Sequence, residues 1–431
     1  MKKKFLALTL TTLFAVTAAL TGCGSKETPK TGDNTETPKT ETKTLKITYS
    51  GTPQPHEKEY IINTFVKNFE EKYNAKVDVD FVSQEDAIKK ISTEQASSTI
   101  VSDILFVDTA NMAPYINGGW VEDITDVVNK SGVTVTNMFD NSTTKNGKRY
   151  FVPVTFDVYI TIANKKALKY LPDGLTEEDV VNGITWEQYA AWANAIAAGE
   201  GVGKTMMPAN MTGSQLLYPM AGLGMAYGAS FPEFNSEGFK SAMNIIAEMA
   251  KGNAFYPEQD QYTAPTDPLK SGAVWLTFAH MGPVGVAYTA SPNDYIVGAA
   301  PKGSKGAGST AGAWTYGIQK GTQNKELAEK FIEYVLTPEV NYDLCTQFGG
   351  VLSPIKEVGD LLDSSDVIMR AGSNMLETTI VSGVPSTEYT DWNAVKLIYG
   401  DLFNKILTAK AVPDDAVFAD LQSKLEALKK Y

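Results

Sequence analysis

An α/β fold divided between two lobes is predicted by the length of the chain, by alternating strand and helix periods after residue 44, and by an extended apolar run near its middle. Of 431 residues, roughly 387 follow a leader and a polar tether; that is more than one ordinary core holds and suits two. Residues 45–49 alternate with a strand's period. Residues 57–73 set Ile61, Ile62, Phe65, Val66, Phe69 and Tyr73 along one helical face, and residues 77–82 alternate again. Ser83 with Asp86 reads as a capping box for a helix bearing Ala87, Ile88 and Ile91, and the apolar run 104–107 follows as a buried strand. Strand, helix, strand, helix, strand predicts a largely parallel sheet. Ligands of such sheets sit beyond the carboxyl ends of the strands, which directs attention to the loops beginning at Ser50 and Asp108.

The N-terminus, MKKKFLALTLTTLFAVTAALTGC, has a basic start, an apolar stretch over residues 5–20 and small residues before Cys23, the layout of a secretory signal spanning residues 1–22. Leu20-Thr21-Gly22-Cys23 resembles the bacterial lipobox, which implies that the Cys23 thiol takes a diacylglyceryl group and becomes the new N-terminus. One acyl chain holds a membrane marginally and two hold it stably, so the expected location is the cell membrane, lipid-anchored on the extracytoplasmic face. Residues 24–44 contain no large apolar side chain and equal numbers of lysines and acids. They read as a disordered tether, about 25 Å long as a coil and about 65 Å drawn out.

Removing Lys2, Lys3 and Lys4 leaves 35 basic against 50 acidic residues, a mature charge of about −15. That charge makes nucleic acid an unsuitable partner. With Cys23 lipidated, Cys345 stands alone and reads as a small buried apolar residue of a helix, so no disulfide framework or cysteine metal site is available. His56 and His280 are the two histidines, too few for a His-rich metal centre. No metal and no cofactor are expected.

The segment YFVPVTFDVYITIANKKAL from Tyr150 is an extended run carrying Pro153, as expected of chain crossing from one lobe to the other. Helical patterns follow near residues 186–198, 238–251, 325–336, 338–348 and 415–430. Thr337 before Pro338 provides a cap with proline in the first turn, and Gly349-Gly350 supplies a stop.

Several of these segments, in order, resemble the maltose-binding type of extracellular solute-binding protein. SDILFVDTANMAPYINGGWVEDIT is similar to that family's strand, loop and helix ending in a Gly-x-Leu-x-Asp-Leu-Thr-like turn. GKRYFVPVTFDVYITIANKKAL is similar to its first hinge segment, and TWEQYAAWANAI to the helix after it. The most specific stretch covers residues 298–354, with AAPKG, AGAWTYGIQKGTQNKELAEKFIEYVLTPEV and a Gly-Gly-x-Leu-x-Pro ending. The resemblance implies a two-lobed periplasmic-binding-protein-like fold of type II, with discontinuous lobes joined by a hinge: residues 45–153 plus 301–337, and residues 154–300 plus 338–431. It further implies a monomer that captures a small polar solute, a mono- or oligosaccharide, in an interlobe cleft and delivers it to the transmembrane subunits of an ABC permease. Where such proteins often carry Gly-Pro-Trp, with the Trp stacking on a sugar ring, this chain has Gly282-Pro283-Val284; the departure counts against a sugar, for which Trp275 or Trp314 are the alternative stacking faces.

A sugar offers hydroxyls that need donors and acceptors, and apolar ring faces that favour flat aromatic surfaces. Ser50 and Gly51, with Thr52, are either ligand groups or a polar turn. Asp108 and Thr109 either contact ligand or cap the helix containing Met112 and Tyr115. Asp157 lies in an apolar run where an unpaired charge is costly, so a ligand hydroxyl or a nearby cation should satisfy it. Trp314 and Tyr316 fall where the family's Gly-rich ligand loop lies, with small neighbours at Ala311 to Ala313. Trp275 either stacks on ligand or belongs to the core, and His280 is equally two-sided. Tyr218 and Trp392 occupy segments similar to those lining the second lobe's side of the cleft.

An enzyme needs a nucleophile with its base, paired carboxylates or a metal cluster, and none of these stands out; no Gly-x-Ser-x-Gly elbow accompanies either histidine. The alternatives to import are a secreted glycan-active enzyme with two acids brought together in space, and a surface sensor or adhesin on the same fold.

Overall fold

The computed structural model describes residues 42–210, 215–376 and 379–430. The signal segment, Cys23 and the tether as far as residue 41 lie outside the described residues.

The first strands and helices form where the periodicity places them. Strand β1 (Thr44–Ser50) pairs in parallel with β2 (Lys76–Val82) and with β3 (Ile104–Asp108). Between β1 and β2 the helix is composite: α1 (Pro55–Tyr60), a π-helical turn at Ile61–Phe65, then α2 (Val66–Tyr73). The wider turn shifts the apolar stripe, so Ile61, Phe65, Val66 and Phe69 are buried while Ile62 is exposed. Helix α3 (Gln84–Ser97) starts with Ser83 accepting from the Asp86 amide at 3.1 Å. The return contact of the expected box runs between the Ser83 hydroxyl and the Asp86 carboxylate. A short helix, α4 (Ala113–Gly118), follows β3.

Two long strands organise the rest. The predicted crossing is β4 (Val152–Asn164). Helix α5 (Trp186–Glu200) opens with a full capping box between Thr185 and Gln188. It is followed by β5 (Thr205–Met206), α6 (Leu217–Ala226), α7 (Glu237–Lys251), β6 (Leu276–His280), α8 (Met281–Ala290), β7 (Tyr295–Gly298) and β8 (Lys302–Gly303). The second long strand is β9 (Gly306–Ile318). Helices α9 (Lys325–Val335) and α10 (Pro338–Gln347), strand β10 (Thr379–Gly383), and helices α11 (Trp392–Ala409) and α12 (Asp415–Ala427) complete the elements used below.

Among the described residues ten strands share one sheet, ordered β2, β1, β3, β9, β4, β6, β5, with β8 and β10 beside β9 and β7 beside β4. β4 and β9 pair with each other antiparallel over Val152–Asp157 and Gly312–Tyr316, then part. Beyond that point β4 pairs with β6 and β7, and β9 over Ala307–Ala311 pairs with β10, whereas Trp314–Ile318 pairs with β3. The sheet therefore has two halves, and the same two strands run through both. Residues 42–430 accordingly belong to one compact unit. The register of β4 on β9 slips beside Trp314 and Thr315, where Pro153 has no N–H to give.

Each half has its own aromatic core. Phe65 and Phe69 pack on Phe331 and Tyr334 of α9, with centroids 5.2–6.0 Å apart; in the other half Phe234 and Phe239 pack on Tyr399 of α11. A fully buried Phe contributes about 2 kcal/mol. All ten residues of α6 are buried, and the helix lies against β9 so closely that a β-carbon at Gly308 would stand 2.2 Å from the Gly222 carbonyl oxygen. Only glycine fits there. Cys345 is buried in α10, and burial pushes its thiol pKa up. Thr337 holds the N-cap position of α10 with Pro338 in the first turn, as expected, but its hydroxyl makes no capping bond and donates back to the Glu333 carbonyl. Gly349 and Gly350, both left-handed, end that helix as expected.

Candidate functional site

Residues at i, i+2 and i+4 of a strand share a face. On β4 these are Thr155, Asp157 and Tyr159; on β9, Trp314 and Gly312 lie opposite Thr155 and Asp157, and Thr310 follows two residues along the same face. All six line one cavity of about 650 Å³, sited where the two strands change partners. The volume suits a small-molecule site. The carboxyl ends of the parallel strands open onto the same space: Thr52, Gln54 and Glu57 follow β1, Gln84 follows β2, and Asp108 to Asn111 follow β3. The other half supplies Tyr218 from α6, Tyr262, His280 at the end of β6, Pro283 and Lys396.

Each side chain is held by its neighbours. Asp108 accepts from the Ala110 amide and Asn111 Nδ2, both at 2.7 Å, and from Gln84 Nε2. It makes a turn with Ala110 and does not cap a helix; the N-cap position of α4 is Met112. Burial raises the Asp108 pKa, opposed by Asn111, the nearby Lys396 ammonium and the Ala110 amide. Burial also raises Glu57, opposed by the Gln54 amide and by His56. Asp157 Oδ2 lies 2.7 Å from His280 Nδ1, which answers the expectation of a partner in that apolar run. Trp314 is stacked on Phe106 at 5.0 Å and 4°, with Gly51 against its edge, so the ring is fixed with one face covered.

The other wall is built by α11. Asp391 caps it by accepting from the Ala394 amide at 3.0 Å, and Trp392 and Lys396, four residues apart, share a face. Trp392 Nε1 donates to the Tyr218 hydroxyl at 3.2 Å while the Lys396 ammonium lies 5.8 Å from the Tyr218 ring centre. Burial raises the Tyr218 pKa, and Lys396 opposes it.

Of the residues singled out in the sequence, Asp108, Thr109, Asp157, Tyr218 and Trp314 come together around the cavity. Ser50, Gly51, Tyr316, Trp275 and Trp392 do not line it. Ser50 is buried at the end of β1, and Gly51 and Trp392 stand behind Trp314 and Tyr218. Tyr316, two residues beyond Trp314, has passed under the first half's helices, between Phe106 and Phe331. Trp275 precedes β6 at its far end, where Lys204 and Lys169 lie over its ring. Thr155, Tyr159, Thr310 and Gly312 were legible from Asp157 and Trp314 by the period of two. Glu57, Gln84, Tyr262 and Lys396 had no such signal, because unrelated parts of the chain deliver them. Val284 is buried, so the Gly-Pro-Val departure places no aromatic ring in the cavity. Among the described residues no group of three His, Cys, Asp or Glu side chains is disposed to hold a metal ion.

Solved structures share this architecture. An ABC transporter solute-binding protein from Thermotoga lettingae, bound with α-D-tagatose, is 20% identical with a TM-score of 0.71, over 89% of this chain and 100% of that one. Maltose-bound MalE3 of T. maritima is 16% identical with a TM-score of 0.72, over 89% and 99%. UgpB from Mycobacterium tuberculosis, in complex with glycerophosphocholine, is 16% identical with a TM-score of 0.71, over 88% and 97%. The fold is thus the two-lobed binding-protein fold of type II, with discontinuous lobes joined by a hinge. Residues 64–371 match the bacterial extracellular solute-binding proteins, and the chain belongs to that family.

Proposed function

We propose that this protein is the monomeric substrate-binding lipoprotein of an ABC importer, taking a mono- or oligosaccharide into the cavity at the β4–β9 crossing and passing it to the membrane permease unaltered. One observation carries the reading: a fixed flat ring, Trp314 on Phe106, faces a cavity rimmed by carboxylates, amides and hydroxyls, the mixture that a sugar's two surfaces require. The tagatose and maltose bound by structural relatives support it. The lobes divide as residues 45–153 plus 301–337, and residues 154–300 plus 338–431. Closure is driven by contacts that the ligand makes better in the closed form than in the open one.

A thermal-stability screen against a carbohydrate panel tests this. A ligand at 100 times its Kd, binding only the folded form, adds about 2.7 kcal/mol. No stabilisation by any saccharide would overturn the reading, and cleavage of the ligand would make the protein an enzyme. Lipid anchoring at Cys23 is tested separately: Cys23→Ala should release the protein from the membrane fraction.

A further inference from the structure

The cavity is acidic. Glu57, Asp108, Asp157 and Asp267 line it against one permanent cation, Lys396. Asp108 already accepts from three N–H groups, whereas Asp157 is half-satisfied. Its Oδ2 is held by His280, but Oδ1 takes no hydrogen bond from any described residue and lies above Gly312, 3.9 Å from where a β-carbon would be. Two residues along β9 from Gly312, on the same face, Thr310 lines the cavity, and its hydroxyl is buried with no partner among the described residues. Thr310 itself is only 1% exposed. A buried hydroxyl left unsatisfied costs about 1–3 kcal/mol, so the fold keeps it at a cost that a ligand group relieves. Tyr159, an aromatic residue of the kind that attracts cations, also lines this corner.

We propose that the occupant is an amine-bearing saccharide whose ammonium group sits over Gly312, between Asp157 Oδ1, the Thr310 hydroxyl and the Tyr159 ring. This rests on the saccharide reading given above and narrows it. The chemistry decides between an amine and a hydroxyl. An ammonium carries three donors and no acceptor, so it serves the carboxylate and the hydroxyl together and cancels a charge. A sugar hydroxyl has one proton to give and leaves the carboxylate's charge in place. An anionic sugar would add a further negative charge to a cavity already in excess.

The test is calorimetry on the purified protein with matched pairs differing at one group: glucosamine with glucose, galactosamine with galactose, and the corresponding disaccharides. The amine-bearing member should bind about tenfold tighter, the effect of one charge-assisted hydrogen bond, and its advantage should shrink as salt is raised. Asp157→Asn should bring the ratio within a pair close to one. Thr310→Val has nearly the same shape and removes a buried hydroxyl that has no partner among the described residues, so it should lower the ratio severalfold while the free protein melts at or above the parental temperature. Neutral members binding as tightly as their amines would overturn this inference and leave the saccharide reading standing. A flat response to the whole panel would overturn both.

Discussion

Glu94 and Asp157 are both carboxylates in apolar surroundings, and the structure treats them in opposite ways. Glu94, in α3, accepts from the Val101 and Ser102 amides, the Ser102 hydroxyl and the Gln319 amide group, all at 3.0–3.1 Å. Asp157 has one partner, His280, and an oxygen facing a cavity. A saturated carboxylate belongs to the fold, tying α3 to the loop before β3 and to Gln319 just past the end of β9. An under-partnered one beside open space is held ready for something outside the chain.

The sharpest way to break that contrast is to remove the saturated group. Glu94→Ala strands the buried Ser102 amide, the part-buried Val101 amide and the Gln319 side chain, and should cost about 3 kcal/mol of stability in urea unfolding; ligand preference in the surviving folded fraction should not change. A cleft change should do the reverse. Gly312 does not have positive φ, and a β-carbon there meets only Asp157 Oδ1 at 3.9 Å. Gly312→Val should therefore fold with a near-parental melting temperature and lose about thirtyfold or more in affinity by calorimetry, because its methyls occupy the ligand's space. Trp314→Ala should weaken binding about tenfold through loss of the stacking face. An unchanged affinity would remove Trp314 from the site.

The smallest effect is in pH. Glu57 has its pKa raised by burial above the ordinary 4.5, against the pull of the Gln54 amide and His56. The folded protein holds that proton more tightly than the unfolded chain does, so the ionised group destabilises. The cost is absent below the ordinary value and grows as pH rises through the raised one. Glu57→Gln should then melt higher than the parent at neutral pH, and the difference should vanish below about pH 4. Glu70 gives the opposite sign. Despite burial, the Lys67 ammonium, the Val77 amide and Lys76 hold it below 4.5, so its contribution is present at neutral pH and is lost on acidification.

Local pattern carried much of the fold. The strands of the first half, the Ser83 cap, the Thr185 helix and the 150–164 crossing are set by contacts within a few residues, and all of them formed. The π turn at Ile61–Phe65 was invisible, because a helical period does not announce one inserted residue. In the site, Asp108 and Trp314 stand at strand positions that the sequence marks, whereas Trp275 sits as prominently in its own segment and faces away.

The sequence alone determined the strand and helix periods, the acidic balance and the family, since each is written in near neighbours or in composition. The tertiary structure decided which polar groups share a cavity. Thr310 and Asp157 are 153 positions apart, and only the antiparallel register of β9 on β4 puts them on one face. Lys396 joins them because α11 is docked by core packing around Tyr399, through interactions that depend on distance in space and not along the chain.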